Sequence, residues 1–345
     1  MVAYDADDVV LVVDGVVRGR KRPPPLTPGA WLETWTPRGV YTSARTFRGI
    51  HVAWYGAHVA RLRRMLASLA EAEPELFEGV PVPATDEATA AIVEETLKEA
   101  LQECAMQGIK GPGDALGASV GGELAIVLAV SPRPGEGAYR VGAHLTPLHV
   151  DADEPPIACV VDGPERLRLP AVKSTAWPTE RAWMDRARPE DADETILAGD
   201  NGETLVEGCV SNLFVVVTRK DEATGKVAKV VQTAPEGRCL PGIARRAVLD
   251  ACEREGVAIE EIAPLAADRG RWREAFVTNA IKLVRPVGEV RWPRGLGVDM
   301  GEGAEDVGLG GELVATIKDA ESRPVTRRIL ERVVESLGRD IGPET

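Results

Sequence analysis

The sequence predicts an α+β protein of two domains, and three features support that class. The 345-residue chain is longer than a single hydrophobic core usually fills. In its first part, short β-patterned runs joined by turn dipeptides are followed by two long segments of helical period. A stretch carrying three Pro and three acids in ten positions, PLHVDADEPP at 147–156, separates this part from a second mixture of strands and helices. The boundary is placed there, giving a small N-terminal α+β domain over residues 1–148 and a larger α+β domain over 149–345.

The elements follow in order. Val9–Val13 and Val16–Arg18 flank Asp14-Gly15, a hairpin turn signal. Gly39–Phe47 and Ile50–Trp54 flank Arg48-Gly49, a second turn. Tyr55–Ala70 carries Val59, Leu62, Leu66 and Leu69 on one helical face. Asp86–Gln107 is a second helix, with acids in its first turn, an apolar set from Ile92 to Leu101, and Gly108 as its stop. Gly122–Val130 and Tyr139–His144 read as strands, and antiparallel pairing is expected to dominate here. Past the boundary, strands are expected at Ile157–Val161, Leu205–Val217, Ala228–Gln232 and Ala275–Thr278, and helices at Glu180–Arg188, Gly242–Glu255 and Val325–Leu337. Gly295–Gly311, rich in Gly and acids, reads as a mobile surface loop.

Composition narrows the function. A net charge of −13 argues against nucleic acid or an anionic membrane as partner. The acids are absent between Thr34 and Ala70, where Arg38, Arg45, Arg48, Arg61, Arg63 and Arg64 occur. Such a basic stretch suits an anionic small ligand, and equally a solvated face. The five cysteines (104, 159, 209, 239 and 252) form no CxxC pair and have no His-rich partner. Neither a metal site nor a disulfide framework is expected, and a reducing compartment fits. No run approaches the ~18 apolar residues of a membrane span, and the N-terminus has no basic leader. A soluble, cytoplasmic protein is expected, with an organelle left open.

Three short segments bear on chemistry. Lys173, in LRLPAVKSTAW, is the only lysine between Gly111 and Arg219. At the end of an apolar run it can be partly desolvated and lose its proton readily, which Schiff-base chemistry needs and arginine cannot offer; a solvated lysine is the plainer reading. In CLPGIARRAV, Pro241-Gly242 opens a helix whose first N–H groups, those of Ile243 and Ala244, suit a phosphate, or simply follow a proline cap. In AFVTNAIKLVRPV, Thr278-Asn279-Ala280 interrupts an apolar strand with hydrogen-bonding groups that suit the same phosphate, or make an ordinary Asx turn. Between these segments Glu207 sits among valines in LVEGCVSNLFVV, where an unpaired carboxylate costs several kcal/mol.

The order and spacing of these pieces carry more than each alone. Lys173, then Glu207 34 residues on (207 − 173) in EGCVSNLF, then LPGIARR, then FVTN and PV, resemble the class IV aminotransferase-like family. These are the fold-type IV pyridoxal-phosphate enzymes, which include branched-chain and D-amino-acid aminotransferases and 4-amino-4-deoxychorismate lyase. GVYTSARTFRG followed by HVARLRRMLAS extends the resemblance upstream, so that it covers roughly residues 36–290. The detail of LVEGCVSNLFVV, KSTAW and EAFVTNAIKLV is similar to a plant and algal aminotransferase-like branch.

The resemblance implies a two-domain α+β fold of the D-amino-acid aminotransferase type, with pyridoxal 5'-phosphate at the domain cleft, in a homodimer. It implies that Lys173 holds the cofactor as a Schiff base and then serves as acid–base at the substrate Cα. Glu207 then faces the pyridine nitrogen, where carboxylate and pyridinium each favour the other's charge. Arg61, Ile243, Ala244, Thr278 and Asn279 fall at the phosphate, and Tyr41, Arg181 and Ala280 on the substrate side. His58 reads as a helix-packing or hydrogen-bonding residue.

The sequence also departs from the family. Thr42 stands where a glutamate is frequent, GELAIVLAV lacks a carboxylate-binding arginine, and Trp177 and Arg181 follow the lysine in place of a tyrosine. The expected activity is transfer of an amino group between an amino acid and a 2-oxo acid. A β-eliminating lyase of the aminodeoxychorismate type and a non-catalytic cofactor-binding protein are the alternatives.

Overall fold

The computed structural model describes residues 9–18, 27–49, 51–111, 122–149, 157–162, 171–220, 225, 227–292, 313–317 and 322–339. The chain divides into two compact units. One comprises Met1–Ala152, Val172–Glu180 and Ser336–Thr345, and the other Asp153–Ala171 and Arg181–Glu335. The segment expected as a mobile loop, 295–311, lies outside the described residues.

The first unit is built on an antiparallel sheet of six strands. These are β1 (Val10–Val13), β2 (Val16–Arg18), β3 (Val40–Phe47), β4 (His51–Val52), β5 (Leu124–Arg133) and β6 (Ala138–Pro147), in the order β2-β1-β6-β5-β3-β4. Both predicted turns form. Asp14 and Gly15 take positive φ, the pairing that matches the twist of a two-residue hairpin between Val13 and Val16. Arg48 and Gly49 also take positive φ, but Phe47 pairs with His51, so three residues separate the paired positions. Among the described residues this unit has the α-helices α1 (Pro28–Glu33), α2 (Tyr55–Ala72), α3 (Asp86–Gln107) and a single turn, α4 (Trp177–Glu180). The side chain of Thr85 caps α3 by accepting from Ala88 N–H, and Gly108 ends it in the left-handed conformation. Helix α2 buries the predicted stripe of Val59, Leu62, Leu66 and Leu69, with His58 and Arg61 buried beside it.

The second unit carries a ten-stranded mixed sheet. Its strands are β7 (Ile157–Asp162), β8 (Glu194–Gly199), β9 (Thr204–Gly208), β10 (Asn212–Lys220), β11 (Val227–Thr233), β12 (Ala258–Glu260), β13 (Trp272–Asn279), β14 (Leu283–Val287), β15 (Glu289–Trp292) and β16 (Leu313–Thr316). The main path runs β12-β11-β10-β9-β8-β7-β15-β16, while β13 pairs with β10 and with β14. Its helices are α5 (Ala182–Ala187), α6 (Ile243–Arg254) and α7 (Pro324–Ser336). Glu274, fully buried, docks the start of α7 by accepting from Val325 and Thr326 N–H (3.1 and 2.8 Å) and pairing with Lys229 (2.9 Å). A carboxylate at a helix N-terminus meets both the free donors and the dipole.

Two expectations are corrected. The run Leu205–Val217 is two strands, because Gly208 N–H donates to Ser211 O at 2.7 Å and turns the chain back on itself. Glu207 thereby lies opposite Asn212, and Val210, at the turn, is exposed. The helix expected at Glu180–Arg188 is broken at Arg181 into the turn α4 and the short α5, where Met184 N–H bonds Arg181 O, three residues back. No helix among the described residues is long and apolar enough to cross a membrane.

Candidate active site

In the first unit the lysine segment lies beside β3. Val40 and Ser174 form an antiparallel bridge, closed by Tyr41 N–H to Lys173 O and Thr175 N–H to Gly39 O, both 2.9 Å. That register sets Tyr41 opposite Lys173, and opposed residues share a face. Lys173 Nζ accordingly lies 4.8 Å from the centre of the Tyr41 ring and 3.2 Å from Ser43 Oγ, two residues further along the strand. Lys173 N–H meets Met65 Sδ of α2 at 3.1 Å. The amine is thus held at a defined point by an aromatic face and a hydroxyl, and the backbone that carries it is tied to β3.

Thr42 projects to the opposite side of β3, where α2 supplies Arg61 and His58. Arg61 Nη2 donates to Thr42 Oγ1 at 2.5 Å, and Thr42 Oγ1 lies 2.6 Å from His58 Nδ1. Burial holds the His58 imidazole well below its usual range, helped by the charges of Arg61 and Lys173. Other arginines of the basic stretch serve structure. Arg38 pairs with Glu73 at 2.8 Å, Arg63 with Asp86 at 2.6 Å, and Arg48 lies over the Phe47 ring.

In the second unit three predicted pieces meet through one residue that the sequence did not single out. Asn212 lies opposite Glu207 on one side and Thr278 on the other, so all three side chains share a sheet face. Glu207 and Thr278 are two strand spacings apart, about 10 Å. The buried carboxylate of Glu207 accepts from Leu240 N–H at 2.9 Å, while Asn212 Nδ2 donates to Leu240 O at 2.9 Å. The LPG segment is therefore fastened by both backbone groups of one residue, Leu240, directly ahead of α6. No side chain caps α6 at Gly242, so no cap spends the N–H groups of Ile243 and Ala244. Thr278 Oγ1 is buried and has no hydrogen-bond partner among the described residues.

Asn279 forms the Asx turn, its Oδ1 accepting from Ile281 and Lys282 N–H at 3.0 and 2.8 Å, with Ala280 buried inside. Arg181 opens α5 with Nε 3.4 Å from Asp185, and its charge acts on Glu194. Burial pushes the Glu194 carboxyl up, against hydrogen bonds from Ser211 and from the backbone of Thr195.

Pyridoxal phosphate fits what these residues offer. A phosphate needs donors without other duties, and Thr278 Oγ1 and the uncapped start of α6 provide them. A basic ring nitrogen needs a buried carboxylate, and Glu207 provides one on the same face. A carbonyl carbon needs an amine, and Lys173 holds its own against Ser43.

Comparison with known proteins agrees. Residues 39–290 match the family model described as amino-transferase class IV. A hypothetical aminotransferase from Mycobacterium tuberculosis in PLP-bound form is similar in fold, with 17% identity, TM-score 0.63, and coverage of 96% of this chain and 100% of that one. The branched-chain aminotransferase of Thermoproteus uzoniensis with norvaline shows 19% identity, TM-score 0.60 and 96% coverage of both chains. The branched-chain amino acid aminotransferase of Escherichia coli shows 16% identity and TM-score 0.60, covering 96% of this chain and 95% of that one. No curated protein matches the sequence.

Proposed function

Because the chain belongs to the class IV aminotransferase family, and is thus a pyridoxal-phosphate enzyme, we propose that it transfers an amino group between an amino acid and a 2-oxo acid through Lys173. The observation that carries this reading is the row Glu207–Asn212–Thr278, which sets a buried carboxylate and an unspent hydroxyl on one sheet face beside an uncapped helix start. When bound, the cofactor supplies an electron sink for the pair left at the substrate Cα.

The chain's own residues do the rest. Lys173 Nζ would take the proton from the substrate Cα as general base and deliver it as general acid to C4′ of the cofactor, the carbon that receives the amino group. Ser43 Oγ and the Tyr41 ring hold that amine in place between transfers. Glu207 would keep a proton on the ring nitrogen, and Leu240 N–H fixes its carboxylate. Thr278 Oγ1, the N–H groups of Ile243 and Ala244, and Arg61 would hold the phosphate.

Half-reactions with a panel of L- and D-amino acids test the proposal. At least one donor is expected to change the visible absorption of the bound cofactor, with a 2-oxo acid restoring it. A keto acid released without any acceptor would assign the lyase reaction instead. A cofactor that no donor alters would make the protein a non-catalytic binder.

A further inference from the structure

Thr42 stands between two buried basic groups. Its Oγ1 accepts from Arg61 Nη2 at 2.5 Å and lies 2.6 Å from His58 Nδ1. The three residues are 2%, 4% and 3% exposed, so water does not replace these contacts. A guanidinium can only donate, which makes the Thr42 oxygen the acceptor on that side. The hydroxyl keeps one proton and a second lone pair, so the contact with Nδ1 can run in either direction; where the hydroxyl donates, Nδ1 accepts and the ring proton resides on Nε2. Nε2 is enclosed and has no partner among the described residues. A protonated His58 would reverse the second bond and add a third cation beside Arg61 and Lys173, whose charges already act on the ring.

We propose that Thr42 and His58 are positioning residues: a neutral hydroxyl–imidazole pair that aims the Arg61 guanidinium at the cofactor phosphate without bringing negative charge to it. The proposal rests on Arg61 being a phosphate ligand. An aspartate or glutamate in the same place would orient the guanidinium as well, but its charge would compete with the phosphate. The Thr–His pair orients only, and it does so while the ring stays neutral.

The test compares equilibrium binding of pyridoxal phosphate with that of pyridoxal, which lacks the phosphate, to the apo-protein by quenching of tryptophan fluorescence. The readout is the preference for the phosphorylated form. Arg61→Gln is expected to reduce it strongly. Thr42→Val and His58→Leu are each expected to reduce it about tenfold, as loss of one bond orienting a charged donor does. His58→Asn, whose carboxamide oxygen can stand where Nδ1 stood, should keep it. In 15N spectra of the four histidines, His58 of the unaltered protein should show a bare Nδ1 and a protonated Nε2 at neutral pH. A proton found on Nδ1 overturns the proposal even if the variants fail to fold. A preference that Arg61→Gln lowers and the Thr42 and His58 variants leave intact also overturns it. If Arg61→Gln itself leaves the preference intact, the phosphate reading of Arg61 fails and takes the proposal with it.

Discussion

Gly242→Ala probes the joint at which the second unit's site is assembled. Gly242 has φ −78° and ψ 137°, a conformation open to any residue, so the reason for glycine is space. A Cβ there would stand 2.2 Å from Asn212 Oδ1. The carboxamide cannot swing away without releasing Leu240 O, which its Nδ2 holds at 2.9 Å. Losing that buried bond costs about 1–3 kcal/mol, and the overpacking costs about 1–3 kcal/mol more. In an Asn212→Ala background the obstructing oxygen is gone, and the glycine substitution should cost only about 1 kcal/mol, the preference of a helix cap for Gly over Ala. Urea unfolding of the four apo-proteins, followed by tryptophan fluorescence, should therefore show a coupling of about 1–5 kcal/mol between the two sites. A Gly242→Ala protein that unfolds at the unaltered midpoint, or costs that simply add, would refute the packing argument.

Thr278→Val removes a buried hydroxyl that has no protein partner among the described residues. Unfolding of the apo-protein should change by less than about 0.5 kcal/mol, while dialysis should show pyridoxal phosphate bound about tenfold more weakly; marked destabilisation of the apo-protein would reveal a structural role instead. Glu207→Gln can keep the Leu240 N–H bond through its carboxamide oxygen, so bound cofactor measured by absorbance should persist while turnover falls by orders of magnitude, and unchanged turnover would remove Glu207 from the mechanism. The depressed His58 sets a pH dependence. Below about pH 6.5 the unfolded chain takes up a proton that the folded chain refuses, so stability falls with decreasing pH by up to about 1.4 kcal/mol per unit until the folded value is reached. Above that window the contribution is constant, and denaturant titrations from pH 7 to 5 should show a shallower decline in His58→Leu.

What was legible in the sequence was whatever a local pattern encodes. Asp14-Gly15 demanded positive φ at both positions and took it. The 3.6-residue stripe of Val59, Leu62, Leu66 and Leu69 became the buried face of α2. The hairpin inside Leu205–Val217 was not legible, because valines on both sides of Gly208 read as one continuous strand and the bend rests on backbone bonds between Gly208 and Ser211. Strand β14 was hidden by Pro286, which a strand tolerates here because, among the described residues, β14 pairs only with β13. The partnerships of the site were beyond local patterns altogether. Asn212 meets Glu207 and Thr278 through strand register, and Ser43 meets Lys173 through an isolated bridge. No spacing along the chain announces which residues will face one another across strands.

The central claim is that Lys173 is the residue that holds the cofactor covalently. Borohydride reduction of the protein loaded with pyridoxal phosphate, followed by proteolysis and mass spectrometry of the peptides, tests it directly. The account predicts a single phosphopyridoxyl group on the peptide containing Lys173. The same group fixed on any other lysine would contradict it.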